Sequence, residues 1–198
     1  DPKIMIQFTN KKRYDNVPFD EYLKVGGYSY SFLKREVQGT TPEFKPTAKV
    51  ELGKLVDAIL TQPDDIDIYS PQLKTAERIA TCLLDNFGDS IKHFESQVSL
   101  TCDMEYAGLK MPFRGRLDWG LKNIAVIDLK VTAEKKLRQV INHMGYDNQL
   151  FGYCGAYGVK LGYILIYSSA TNQYDLIQMP LNGDQFWKEK IMKFGSVK

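Results

Sequence analysis

Asp118, Asp128 and Lys130 are the residues of this chain whose types and spacing could do chemistry together. They stand in the stretch RGRLDWGLKNIAVIDLKVT at 114–132. It reads as a β-hairpin: a strand at 113–119, a reversal through Gly120, Leu121, Lys122 and Asn123, and a second strand at 124–131 rich in β-branched and aliphatic residues. Side chains alternate across a strand, so Asp128 and Lys130 project from one face while Leu129 faces the other. Asp118 lies on the partner strand near the turn, where antiparallel pairing can bring it to the same end of the sheet. Two acids so placed suit a hard divalent cation, which takes oxygen ligands and keeps several waters. The lysine could orient or activate such a water, or offset charge on a phosphate. A D-x-K triplet by itself is more often a structural ion pair on a half-exposed strand, so its surroundings must decide.

Stepping outward from the hairpin, a helix is expected at 46–60, introduced by Pro46 and Thr47 and stopped at Gln62-Pro63. Val50, Leu55, Val56, Ile59 and Leu60 give it an apolar face, and Gly53 allows a neighbouring strand to approach. Asp57 follows Gly53 on the same side, and an acid among Leu55, Val56, Ala58 and Ile59 needs a partner unless it sits at a solvated edge. Glu51 rivals it for any role on that helix. A short helix at 29–36 takes Ser29 or Ser31 as its cap, an amino end able to receive a phosphate. An amphipathic helix at 71–87 points Leu73, Ala76, Ile79, Ala80, Leu83 and Leu84 inward and ends at Gly88.

Strands are expected at 4–8 and 95–106, with a loop at 9–17, a short extended piece at 64–69 and a turn at 107–110. Beyond the hairpin, Thr132 caps a segment at 133–143 whose start is crowded with Glu134, Lys135, Lys136, Arg138 and Gln139. A helix at 146–157 carries Tyr146, Gln149 or Leu150, Tyr153 and Tyr157 in one stripe, which packing alone would explain. Strands at 162–169 and 173–179 and a helix at 185–194 complete an α/β fold, a central mixed sheet flanked by helices. No linker or repeat divides the chain, so 1–198 reads as a single domain. Lys110, Arg114 and Arg116 precede Asp118, and cations beside two acids suit a phosphodiester better than a sugar or a peptide. Each of them would serve equally well as an edge charge that discourages strand aggregation.

The 198 residues are 43% hydrophobic and 12% aromatic, enough for one sizeable core. A formal net charge of +2 excludes a whole-surface polycation, so any nucleic-acid contact must come from a local patch. Cys82, Cys102 and Cys154 are scattered with no CxxC, which argues against a disulfide framework, an iron–sulfur cluster or structural zinc and fits a reducing cytoplasm. No apolar run approaches the roughly 18 residues of a membrane span, and no signal-peptide layout opens the sequence, so no membrane partner is expected.

The pattern D-x9-D-x-K on a hairpin, Asp118 to Lys130, resembles the core motif of the PD-(D/E)xK nuclease superfamily, with Leu117 in place of the motif's proline. Gly53-x3-Asp57 resembles the G-x3-H helix motif of its RecB-like and RecE-like branches, with aspartate at the histidine position. Gln149-x3-Tyr153 matches the Q-x3-Y motif that follows the lysine strand. The four segments occur in the family's order over roughly the middle half of the chain. The resemblance implies a restriction-endonuclease-like core and a DNA exonuclease most like phage or prophage RecE-type recombination enzymes. It further implies that Asp57, Asp118, Asp128 and the Leu129 carbonyl hold one or two Mg²⁺ ions, or Mn²⁺ in their place. Lys130 would position water or stabilise developing charge, and Gln149 and Tyr153 would hold substrate or order the lysine. Lys110, Arg114, Arg116, Lys135, Lys136 and Arg138 would contact phosphates. Partners so implied are duplex DNA ends, a ring-like homo-oligomer and a single-strand annealing protein. A structure-specific or site-specific endonuclease on the same core, and a DNA-end binding module that has lost cleavage, are the competing readings.

Overall fold

The expected α/β architecture is present, with its strands divided between two sheets flanked by helices. The structure is a computed structural model that describes residues 5–15, 17–38, 48–61 and 66–197. The antiparallel sheet has the order β1-β3-β4-β9, formed by Gln7–Tyr14, Ser99–Tyr106, Leu109–Arg116 and Ser196–Val197. The mixed sheet has the order β2-β5-β6-β7-β8, formed by Phe94–Ser96, Trp119–Leu121, Ala125–Thr132, Leu161–Ser168 and Gln173–Gln178. Only β6 and β7 run parallel within it. Parallel neighbours require a crossover, and helices α5 (Leu137–His143) and α6 (Tyr146–Tyr157) supply it.

Four further helices are α1 (Phe19–Lys24), α2 (Tyr30–Gln38), α3 (Ala48–Thr61) and α4 (Leu73–Phe87), and α7 (Asp184–Phe194) follows the last long strand. Alternation along β6 sends its two faces into different cores. Ile127 and Leu129 pack with Leu165, Tyr167 and the apolar faces of α3 and α4, notably Leu52, Val56, Ile79 and Leu83. Val126 packs instead with Ile164, Ile166, Leu150 and Cys154 on the α6 side. Helix α6 touches β1, β3 and β4 of one sheet and β6 and β7 of the other, so it is buried nearly all round. A helix in that position has no room for side chains where strands or rings cross it. A Cβ at Gly155 would run into the Phe8 ring, and one at Gly152 would lie 2.9 Å from Trp187.

Several expectations change. The first hairpin strand is not continuous over 113–119: β4 ends at Arg116 in the antiparallel sheet, and β5 begins at Trp119 in the mixed one. The reversal is tighter than 120–123, since Gly120 and Leu121 belong to β5 and Asn123 takes the left-handed turn conformation at φ 63°. The polar stretch at 9–17 is largely strand, because β1 is an edge strand whose charged side chains face solvent while its backbone pairs with β3. The stretch 95–106 is two strands broken at Gln97, whose φ is 53°. Thr132 does not cap a helix; its Oγ1 accepts from the Glu134 amide in a turn, and α5 starts only at Leu137. Of the two candidate caps, Ser29 is the one used, accepting from the Phe32 amide at 3.2 Å. Leu84 lies on the exposed side of α4. Ile4, Pro46-Thr47, Gln62-Pro63 and the start of the 64–69 piece lie outside the described residues. Among the described residues no helix is long and apolar enough to cross a membrane.

Candidate active site

The short β5–β6 hairpin fixes the two acids. Trp119 pairs with Ile127 at the start of β5, which brings the preceding residue, Asp118, in beside Asp128. Asp128 shares its face of β6 with Val126 and Lys130, the face turned to α6. The chain leaves β4 at Arg116 and the Leu117 amide bonds to the Val98 carbonyl, which delivers Asp118 at the junction between the sheets. Asp118 Oδ2 accepts from the Leu129 amide at 2.9 Å, which holds the carboxylate against β6.

Lys130 joins this pair from β6, two residues on and therefore on the same face. Its Nζ lies 2.5 Å from Asp128 Oδ2, donates to Gln149 Oε1 at 2.8 Å and sits 4.9 Å from the Tyr146 ring centre. Gln149 Nε2 in turn donates to the Tyr153 hydroxyl at 3.0 Å. Tyr153 is held in place by β4, since its ring lies where a Cβ of Gly115 would be, at 2.8 Å. Gln149 and Tyr153 thus order the lysine through a buried chain, one turn of α6 apart.

The structure adds a residue that sequence reasoning missed. Lys49, in the first turn of α3, places Nζ 2.9 Å from Asp118 Oδ2. The signal for it was faint: Lys49 lies four residues before Gly53 and so shares its helical face, the face that approaches Leu129. The four charged side chains grade from mouth to floor, with 31% of Lys49, 19% of Asp118, 16% of Lys130 and 3% of Asp128 exposed. Burial drives the Asp118 carboxyl above its ordinary range, with Asp128 adding to the rise and Lys49 opposing it. Burial also pushes Asp128 upward, but the ammoniums of Lys130 and Lys49 outweigh it and hold the group below its ordinary range. The two acids are close enough to titrate as a pair. Lys130 is lowered from 10.5, chiefly by burial and secondarily by Lys49, against the pull of Asp128.

Asp57 is turned toward Trp119, although Asp118 is near enough to act on its charge. Its Oδ1 accepts from the Trp119 indole nitrogen, and Ser96 is a second hydrogen-bond partner. Burial pushes its carboxyl up to about 7. Glu51 is exposed on α3. Among the described residues no three His, Cys, Asp or Glu side chains form a group able to hold a metal ion. Two carboxylates remain, the donor number with which Mg²⁺ is commonly held beside its own waters and a substrate phosphate. Asp128 Oδ2 fits such a role: it is buried and faces the Lys130 ammonium at 2.5 Å, a charge that a cation could replace. The donor set therefore fits one ion rather than two.

The expected phosphate-binding cations separate into three groups. Arg114 donates to the Leu23 and Val25 carbonyls, both at 2.6 Å, and lies over the Tyr22 ring; Arg116 bonds Gln97 and the Val17 carbonyl. Those two hold the 17–25 segment onto the sheet. Lys110 pairs with Asp103 across the β3–β4 hairpin at 2.8 Å. Lys135, Lys136 and Arg138 instead line an open groove of about 680 Å³ with Arg78, Tyr174 and Asp175, and Arg138 is paired with Asp175 at 3.3 Å.

No family of known protein domains matches this sequence, and neither does any curated protein. Similar solved structures include a candidate exonuclease of Eubacterium rectale, at 18% identity over 80% of this chain and 68% of that one, with a TM-score of 0.47. Another is the protein SSO0001, at 16% identity over 91% of this chain and 86% of that one, with a TM-score of 0.42. Likeness at that level carries no activity or substrate to this chain.

Proposed function

We propose that this chain is a Mg²⁺-dependent deoxyribonuclease that hydrolyses phosphodiester bonds, with its reaction centre at Asp118, Asp128 and Lys130. The observation that carries the reading is the convergence of two opposed carboxylates and a buried lysine at a partly open junction between the sheets. The site's order along the chain, with Gln149 and Tyr153 after the lysine, supports a RecE-like exonuclease within that class. Asp118 and Asp128 would hold the ion, which when bound supplies polarisation of the scissile phosphate and a more acidic attacking water.

The protein's own groups do the rest. The Leu129 amide holds the Asp118 carboxylate against β6, close to Asp128. Lys130, steadied by Gln149 and the Tyr146 ring, places a cationic N–H donor beside the acids, where it can orient water and offset charge that develops on the phosphate. Because burial lowers its pKa, it gives up a proton more readily than a surface lysine. Duplex DNA ends, a ring-like homo-oligomer and an annealing partner belong to this reading. A non-cleaving DNA-end binding module is the second reading, favoured by one feature: each acid already has an ammonium partner.

Linear and covalently closed circular duplex DNA, incubated side by side with Mg²⁺, test the proposal. Loss of the linear form alone supports the exonuclease, and cutting of the closed circle supports an endonuclease on the same core. Binding to ends with neither substrate consumed would favour the non-cleaving module.

A further inference from the structure

The charge balance of the site raises a question that the proposed reaction leaves open. Asp118 and Asp128 carry two negative charges, and Lys49 and Lys130 carry two positive ones. A divalent cation entering that neutral cluster would meet two ammoniums within a few ångströms in a partly desolvated place, where such repulsion is only weakly screened. Displacing one ammonium would relieve that repulsion.

The two lysines are not equally free to leave. Lys130 is held at three points, by Asp128, Gln149 and the Tyr146 ring, and its side chain is 16% exposed. Among the described residues Lys49 has one ion-pair partner, Asp118, and it is 31% exposed at the mouth. It also stands in the first turn of α3, where its long side chain can swing outward without unwinding the helix. Lys49 Nζ neutralises the outer acid, Asp118, and so would compete with a cation for its charge.

We infer that Lys49 is a built-in counter-ion that a divalent cation must displace from Asp118, so that this lysine sets the metal affinity of the site. The inference rests on the reading of Asp118 and Asp128 as metal ligands. It assigns to Lys49 a positioning role, holding the paired acids in place before the ion arrives and yielding when it does.

The test uses the full chain without DNA and reads Mn²⁺ binding by calorimetry and by electron paramagnetic resonance. Lys49→Met keeps length and removes charge, and it should bind Mn²⁺ about tenfold more tightly than the wild type, the scale of one displaced ion pair. Lys49→Arg keeps the charge and should stay within about threefold of the wild type. In the wild type, Mn²⁺ should also raise the rate at which an amine-acetylating reagent modifies Lys49, read by mass spectrometry, which needs no variant to fold. Metal binding that Lys49→Met leaves unchanged or weakens, or an acetylation rate that Mn²⁺ does not raise, overturns the inference while the ligand role of the acids stands. Absence of Mn²⁺ binding in both wild type and Lys49→Met removes the metal reading and the inference with it.

Discussion

Asp57→Asn should flatten the pH dependence of stability between about pH 4 and pH 7. The carboxyl ionises at about 7 in the folded protein against 3.8 ordinarily, burial being the main cause and the hydrogen bonds from Trp119 and Ser96 opposing it. A raised carboxyl pKa means that the native state binds a proton that the unfolded chain has already released. Stability is therefore fullest below pH 4 and falls as pH rises through 7. At about 1.36 kcal/mol per unit, the shift corresponds to at most about 4 kcal/mol, and partial solvent access at this site reduces it to about 2. Asparagine retains the oxygen that accepts from Trp119 but cannot ionise. Urea unfolding midpoints at pH 3, 5, 6 and 8 should thus show little difference at pH 3, a gap that opens from about pH 4 upward, and a variant more stable than the wild type by about 2 kcal/mol at pH 8. Calorimetry on the same variant should find Mg²⁺ affinity within about twofold of the wild type, since Asp57 is turned toward Trp119 rather than toward Asp118. Parallel stability curves would refute the burial argument, and a large loss of Mg²⁺ affinity would return Asp57 to the ligand set.

Three further outcomes follow from the geometry. Removing Lys135 and Arg138 together should flatten the slope of log affinity for DNA against log salt by up to about two, with little dependence on base sequence, if both neutralise phosphates; a slope unchanged in filter-binding titrations would take the groove out of the substrate path. Tyr153→Phe deletes the acceptor of the Gln149 amide and should lower stability by about 1 kcal/mol while slowing cleavage through a less ordered Lys130, as thermal melts and initial rates would show. Gly155→Ala forces a methyl into the Phe8 ring and should destabilise the chain by about 1–3 kcal/mol in urea unfolding, without a direct effect on the site.

The parts of the fold that were legible in the sequence are those whose burial follows one period. Helix α6 matches the expected 146–157 at both ends because Gly145 and Gly158, each in the left-handed conformation, bracket it. Alternation places Asp128 and Lys130 on one face, and Asp118, ten residues before Asp128, comes close to it. What was not legible depends on partners remote in sequence. The polar strand β1 exists because β3 offers it a ladder, and residues 113–119 divide because their two halves pair with different sheets. The direction of Asp57 depends on a tryptophan 62 residues away, and an acid four positions after a glycine carries no sign of it. Arg114 and Arg116 looked like phosphate contacts because they flank Asp118 in sequence, whereas the 17–25 segment folds over and engages both. Lys49 was missed because a lysine in a helix's first turn is ordinarily a solvated charge.

The most direct measurement of the central claim is the rate of Mg²⁺-dependent hydrolysis of linear duplex DNA by the wild type, Asp118→Asn and Asp128→Asn. Each substitution keeps the shape of the side chain and removes the charge that a divalent ion requires, so thermal melting should show folded proteins and the rate should fall by about a thousandfold or more in both. A folded Asp128→Asn protein that cleaves at the wild-type rate would contradict the account.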